Sequence, residues 1–184
     1  PKSNGIRISG GTGQISGNKI TSPVSYGVYC TDAEQVKINN NIVDSSNATG
    51  IMLDATTGTV SENQVQSAQS NGIAIQNISG VVVSDNSVTE SKSHGILVNN
   101  AVITISGNTI IDASYGSSTY SGISIRGSSS GTTVTNNTIT TPGAHGIIIS
   151  GSMSSCTVKG NVISEAGKAG IYNDTASDTI IAEN

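Results

Sequence analysis

A short pattern recurs eight times along the 184-residue chain and constrains its fold more than any other feature. The stretch 94–108 is its clearest copy and reads H-G-I-L-V-N-N-A-V-I-T-I-S-G-N. A Gly-aliphatic pair opens one alternating segment, and a second alternating segment leads to an Asn. Repetition with a period of 20–50 residues predicts a solenoid, propeller or array. The repeat glycines are Gly5, Gly27, Gly50, Gly72, Gly95, Gly122, Gly146 and Gly170. The repeat asparagines are Asn18, Asn41, Asn63, Asn86, Asn108, Asn137, Asn161 and Asn184. We expect each repeat Asn at a tight turn in a left-handed or bridge conformation, with its amide stacked on the Asn of the next coil. Each repeat Gly is expected to mark either a bend or a position of positive φ.

The spacing of the repeat indicates one constant segment and one irregular coil. Successive repeat glycines lie 22 to 27 residues apart. From each repeat Asn to the next repeat Gly the count is nine residues, except from Asn108 to Gly122, where it is fourteen. We therefore expect a five-residue insertion around residues 115–120, in a loop that interrupts an otherwise regular solenoid.

Alternating β-branched residues predict three short strands in each repeat. Ile96 and Val98 alternate in the first segment and Ile103 and Ile105 in the second, while Ile110 follows the repeat Asn. Alternation of this kind between Gly, Asn and Ser breaks is typical of half-buried strands. A propeller blade needs about 40 residues, and a leucine-rich repeat needs more than the two Leu present here. The pattern predicts an all-β, right-handed parallel β-helix of about eight coils.

The repeated N-x-I/V nine residues before Gly-Ile resembles the right-handed parallel β-helix families. These include pectate-lyase-like proteins, the carbohydrate-binding and sugar-hydrolase β-helix group, NosD-like proteins and phage tailspikes. The resemblance covers the whole chain and implies a polysaccharide or oligosaccharide partner. The Asp-Pro-His triplet of alginate epimerases is absent from the sequence. The repeat itself is structural, and one fold serves many activities.

Charge and composition exclude several classes of partner. The net charge is −4 with only eight Lys and Arg, which argues against nucleic acid. No apolar run reaches the roughly 18 residues of a membrane span. Cys30 and Cys156 are expected to be buried and five coils apart, too far for a disulfide. No spacing suggests a metal or cofactor. We interpret residues 1–184 as a single β-helix domain and, because both ends stop in mid-repeat, as a piece of a longer chain.

One cluster of polar side chains is predicted to carry chemistry. Glu90 and Asp112 occupy the same position of neighbouring coils, His94 lies on the same edge, and the inserted loop emerges beside them. Paired carboxylates suit acid and base roles at a glycosidic bond. We predict Glu90, Asp112 and His94 as catalytic residues of an extracellular hydrolase, lyase or tailspike-type depolymerase. The predicted substrate-binding residues are Tyr115, Tyr120, Lys92, Arg126 and His145.

A non-catalytic role is the alternative interpretation. The outward position in the middle of the first strand is more apolar than an exposed column should be, which favours contact with another chain. The protein would then be a structural or adhesive shaft of a fibre or surface protein. A homotrimer, in which three chains pack side by side, is the assembly we consider for it. The residues predicted for this interface are Tyr29, Met52, Leu97, Ile148 and Tyr172.

Overall fold

The computed structural model describes residues 3–151 and 153–184, and it confirms the all-β solenoid. Three parallel sheets, here named A, B and C, run along the solenoid, and each coil adds one strand to each sheet except the last coil, which adds none to sheet C. The described residues contain no helix, hence none that could span a membrane. Sheet A consists of β1 (Ile6–Ser9), β4 (Val28–Thr31), β7 (Ile51–Asp54), β10 (Ile73–Gln76), β13 (Ile96–Asn99), β16 (Ile123–Arg126), β19 (Ile147–Ser150) and β22 (Ile171–Asn173).

Sheets B and C complete each coil. Sheet B consists of β2 (Gln14–Ser16), β5 (Val36–Asn39), β8 (Gly58–Ser61), β11 (Ser79–Ser84), β14 (Val102–Ser106), β17 (Thr133–Thr135), β20 (Thr157–Lys159) and β23 (Ile180–Ala182). Sheet C consists of β3 (Lys19–Thr21), β6 (Ile42–Asp44), β9 (Gln64–Gln66), β12 (Ser87–Thr89), β15 (Thr109–Ile111), β18 (Thr138–Thr140) and β21 (Val162–Ser164). Equivalent residues of neighbouring coils pair in register, as in β10, β13 and β16, and the register shifts between β11 and β14 at Ser79–Val81.

The core is a thin aliphatic column inside the three sheets. The alternating residues of the repeat point inward as predicted: Ile96, Val98, Ile105 and Ile110 are fully buried. Cys30 and Cys156 are buried, unpaired members of the same core, and burial raises the pKa of the Cys30 thiol to about 11. Because each coil covers its neighbours, little apolar volume per residue is enough to stabilise the solenoid.

Three corners close each coil, and residues with positive φ occur at these corners. In the coil around β13, Asn100 follows sheet A, Gly107 precedes the repeat Asn, and Asp112 follows sheet C, with φ of 51°, 67° and 52°. Asp and Asn tolerate this left-handed conformation better than most residues. We expected the repeat Asn to adopt a left-handed or bridge conformation, but the left-handed residue at this corner stands one position earlier.

The repeat asparagines form a continuous internal ladder, as expected from their spacing. Asn86 Nδ2 donates to Oδ1 of Asn108 at 2.9 Å, and Asn86 Oδ1 accepts from Asn63 Nδ2 and from the Asn63 amide. Nδ2 of Asn86 also donates to the carbonyls of Val60 and Ser84. Every polar atom of the side chain is thus satisfied away from water, which a buried amide requires.

The repeat glycines are needed because no side chain fits at the repeat Gly position in the inner coils. Their φ is not positive, contrary to one of the two explanations offered by the sequence. A Cβ on Gly95 would lie 2.5 Å from Cγ2 of Ile110 and 2.7 Å from the carbonyl oxygen of Gly122. At this corner the backbones of successive coils and the inward aliphatic side chain meet so closely that only hydrogen fits.

Candidate functional site

The outward side of sheet A, called here the sheet A face, carries most of the predicted functional residues. Its middle column is set by strand pairing, in which Ala74 of β10 pairs with Met52 of β7 and Leu97 of β13. These three side chains form a small outer cluster, against which Tyr26 and Tyr29 pack. The face therefore has a closely packed floor in its central coils.

The predicted interface stripe is only partly exposed. Met52 and Leu97 retain 8% and 6% of their accessible surface, whereas Tyr172 retains 42%. Tyr29 and Ile148 are half-buried. Met52 and Leu97 pack in the small outer cluster within a single chain, so an apolar contact surface is offered mainly toward the ends of the stripe. Assembly through this stripe stays a prediction.

A second hydrogen-bond ladder runs along the edge of the sheet A face, in the column just before each repeat Gly. We call it the edge ladder. Each side chain accepts the backbone N–H of its counterpart one coil further on: Asn71 Oδ1 from His94, His94 Nδ1 from Ser121, Ser121 Oγ from His145, and His145 Nδ1 from Ala169. The donor–acceptor distances are 3.1 to 3.3 Å. Both His side chains therefore serve as caps that join coils.

His94 is held as a neutral imidazole. Burial and, to a smaller extent, the positive charge of Arg126 lower the pKa of His94 to about 4. Since Nδ1 accepts the Ser121 N–H, the ring hydrogen of the neutral form resides on Nε2. Burial and the charge of Lys168 also lower the pKa of His145. His94 can donate a hydrogen bond from Nε2, but it is a weak general base at its occupied Nδ1.

The state of His94 predicts acid sensitivity of the fold. Its pKa of about 4 in the folded chain lies below the ordinary 6.5, so the unfolded chain binds more protons between these values. The free energy of unfolding should fall as the pH drops from 6.5 to 4, by up to about 3 kcal/mol. His94→Asn should reduce this loss, because Asn71 already shows that an amide can occupy this ladder position.

Urea denaturation at several pH values checks this prediction, with His145→Asn as the matched variant. Identical pH profiles for the native protein and His94→Asn would contradict the assignment.

The inserted loop brings one of its two tyrosines onto the sheet A face. Buried Ser114 anchors it: its Oγ donates to the Ser117 carbonyl and accepts the Tyr120 N–H. The Tyr120 ring packs edge-on against His94, with ring centroids 5.1 Å apart. Tyr115 projects into solvent with 61% of its surface exposed. The loop thus adds an aromatic wall beside His94.

Glu90 and Asp112 occupy adjacent coils of the corner after sheet C, as the repeat predicted. Both have positive φ, and the strands before them pair directly. Their carboxylates, however, engage opposite neighbours: Glu90 accepts from Ser67 Oγ at 2.9 Å, and Asp112 accepts from Thr141 Oγ1. The residues are thus neighbours in the backbone, while each carboxylate bonds to a hydroxyl group of a different coil.

The other predicted binding residues lie around the same region. Arg126 is the last residue of β16 and lies exposed on the sheet A face. Its positive charge contributes to the lowered pKa of His94. Lys92 is exposed between Glu90 and His94. His145 stacks on Tyr172 with centroids 4.8 Å apart. Within residues 3–151 and 153–184 no three His, Cys, Asp or Glu side chains converge as a metal site would require.

Tyr26 also belongs to this face, although we did not predict it from the sequence. Its ring stacks on that of Tyr29 at 4.9 Å, and the guanidinium carbon of Arg7 lies 5.5 Å from the Tyr29 ring centroid. Tyr26 stands in the same column as His94 and His145, and this shared column was the signal that could have identified it.

Comparison with known proteins places the chain among β-helix proteins. The family described as "Right handed beta helix region" matches residues 4–163 and 94–184. The enzymatically active domain of tailspike protein 2 from bacteriophage CBA120 superposes with a TM-score of 0.60 at 17% identity, covering 82% of this chain and 23% of the tailspike. The A-module of a mannuronan C-5 epimerase from Azotobacter vinelandii gives 0.65 at 17%, covering 100% and 56%.

A DFA-IIIase from Arthrobacter chlorophenolicus without its lid has a TM-score of 0.63 at 13% identity, covering 91% of this chain and 53% of the enzyme. The chain thus spans from 23% to 56% of the length of these proteins. No curated protein sequence matches it significantly. At these identities the similarity establishes the fold.

Proposed function

Because the chain belongs to the right-handed β-helix family, we propose that it is a carbohydrate-active domain that binds a linear glycan on the sheet A face. One observation carries the proposal: Tyr120, on the one inserted loop, stands edge-on to His94 beside the packed floor of the face. Aromatic rings offer apolar surface to the C–H faces of sugars, and their polar ends remain free to bond hydroxyl groups.

The polar groups around this wall suit a ligand rich in hydroxyl groups. Gln76 and Asn99 pair at the ends of β10 and β13, and both are partly accessible. Amides can donate and accept at once, which matches a sugar hydroxyl. The neutral His94 offers an Nε2–H donor on the same edge. A tailspike active domain and a mannuronan epimerase are among the similar folds, which supports this function and an extracellular or virion setting.

Tyr120→Ala tests the binding site. Loss of the ring should raise the dissociation constant for a bound oligosaccharide about tenfold, equivalent to about 1.4 kcal/mol. Isothermal titration against the strongest ligand from a screen of linear oligosaccharides measures it. Tyr120→Phe keeps the ring and should bind within about threefold of the native protein. Val162→Ala, exposed on sheet C, is the control. Equal affinity of Tyr120→Ala and Val162→Ala would exclude this face.

We further propose that Glu90 and Asp112 carry the acid and base roles if the full protein cleaves its glycan. Substrate binding would have to release Glu90 from its hydrogen bond with Ser67 and Asp112 from its hydrogen bond with Thr141. Glu90→Gln and Asp112→Asn should then each lower kcat at least 100-fold with little change in KM. Glu62→Gln, an exposed carboxylate at another corner, is the matched control. Unchanged kcat in both variants would mean that Glu90 and Asp112 do not catalyse cleavage, and the sheet A face would remain a binding site only.

A further inference from the structure

Three similar units lie along the sheet A face, and each consists of two aromatic rings and a nearby cation. The N-terminal unit consists of stacked Tyr26 and Tyr29, with Arg7 5.5 Å above the Tyr29 ring. Both rings are half-buried and rest on the outer cluster of Met52, Ala74 and Leu97. The floor fixes the rings, while Arg7 stays exposed.

The middle and C-terminal units contain the same kinds of groups in different geometries. His94 and Tyr120 form the middle pair, with the charge of Arg126 close enough to lower the pKa of His94. The C-terminal pair is His145 and Tyr172, whose rings are stacked with an interplanar angle of 13°. The charge of Lys168 acts on His145 in the same way. Each pair thus has a positive group within electrostatic reach.

The units follow the solenoid axis. Strand order places β4 and β13 three coils apart, and β13 and β19 two coils apart. At about 4.8 Å per coil, the units stand roughly 14 and 10 Å apart. From Tyr29 to Tyr172 the face extends over six coil steps, about 29 Å. Contacts repeated at this spacing suit an extended chain of sugars parallel to the axis.

The cations of the face are open to an external anion. Within residues 3–151 and 153–184, the one ion pair joins Lys159 to Glu183, at the ends of the sheet B strands β20 and β23. Carboxylates near the face are engaged otherwise: Asp54 accepts from Asn77, and Asp174 accepts from the Tyr172 hydroxyl. Arg7 and Arg126 therefore hold their charge without a carboxylate partner on a chain of net charge −4.

We propose that the sheet A face binds a linear anionic glycan parallel to the solenoid axis, with sugar rings on the three aromatic pairs and carboxylate or sulfate groups at Arg7, Arg126 and Lys168. This inference rests on the proposed function and names its ligand class. A guanidinium binds either anion through paired N–H donors. A second copy of the chain is a less suitable occupant, because the apolar centre of the face is already covered by its own neighbours.

Isothermal titration of the full chain tests the proposal with oligosaccharides of two to ten sugars in three series: polyuronate, sulfated and neutral. Affinity should rise with length up to about six to eight sugars in at least one anionic series. Tyr29→Ala should weaken an octasaccharide at least tenfold and a disaccharide less than threefold, while Tyr29→Phe retains affinity. Arg7→Gln should weaken anionic ligands about fivefold and lessen the salt dependence of binding. Lys19→Gln, exposed on sheet C, is the matched control.

The possible outcomes distinguish failure of the anionic-glycan inference from failure of the proposed glycan-binding function. The carboxylate and sulfate series tell which anion the face prefers. Strongest binding of neutral glycans, or full octasaccharide affinity in both Tyr29→Ala and Arg7→Gln, overturns the inference and leaves glycan binding intact. Binding of no glycan in any series overturns both. Sedimentation that shows a dimer lost in Tyr29→Ala, with unchanged glycan affinity, assigns the face to a second copy instead.

Discussion

Asn86→Ala is expected to lower the free energy of unfolding by about 3–6 kcal/mol, a large part of the total for a domain of this size. The substitution removes the acceptor for the amide and Nδ2 of Asn63 and the donor to Asn108 Oδ1. It also frees the carbonyls of Val60 and Ser84. Several buried polar groups lose partners at once, and each costs about 1–3 kcal/mol.

Urea or guanidinium unfolding followed by circular dichroism measures the loss. Asn47→Ala is the control, because Asn47 is exposed and lies outside the ladder; it should change stability by less than about 0.5 kcal/mol. Similar midpoints for the two variants would mean that the internal amides do not support the solenoid.

Gly95→Ala is the second large effect and should cost about 3 kcal/mol or more, at the upper end of core overpacking. The new methyl group would lie 2.5 Å from Ile110 Cγ2 and 2.7 Å from the Gly122 carbonyl oxygen, so a side chain and a neighbouring backbone must both move. Adding Ile110→Ala relieves only the first contact and should not restore stability. Thermal melting and chemical unfolding report the change.

Gly170→Ala is the matched control, at the same repeat position in the last coil. There an added Cβ would meet only Ile163 Cγ2, at 3.9 Å. Its stability should stay within about 1 kcal/mol of the native protein. A comparable loss in both variants would show that the cost comes from the Gly backbone itself rather than from crowding between coils.

The candidate site was predictable in position but not in its contacts. The length of one repeat located the loop that carries Tyr120, and the register placed Glu90 beside Asp112. Which atoms meet could not be predicted, because rotamers and corner geometry decide it. Glu90 and Asp112 bond to hydroxyl groups on opposite sides, while His94 turns its Nδ1 to the Ser121 N–H. Tyr26 was not predicted because its contact with Tyr29 joins two different columns of the repeat.

The sequence by itself determined the solenoid, the number of coils, the inward columns and the existence of the Asn ladder. All of these follow from the period of the repeat. The period is visible in the sequence because each coil contacts mainly its two neighbours, so equivalent positions of successive coils need similar residues. Only the tertiary structure decided that repeat glycines serve close packing, that Met52 and Leu97 are covered, and that Asn71, His94, Ser121 and His145 form an edge ladder. These depend on distances between side chains of different coils, which spacing along the chain does not specify.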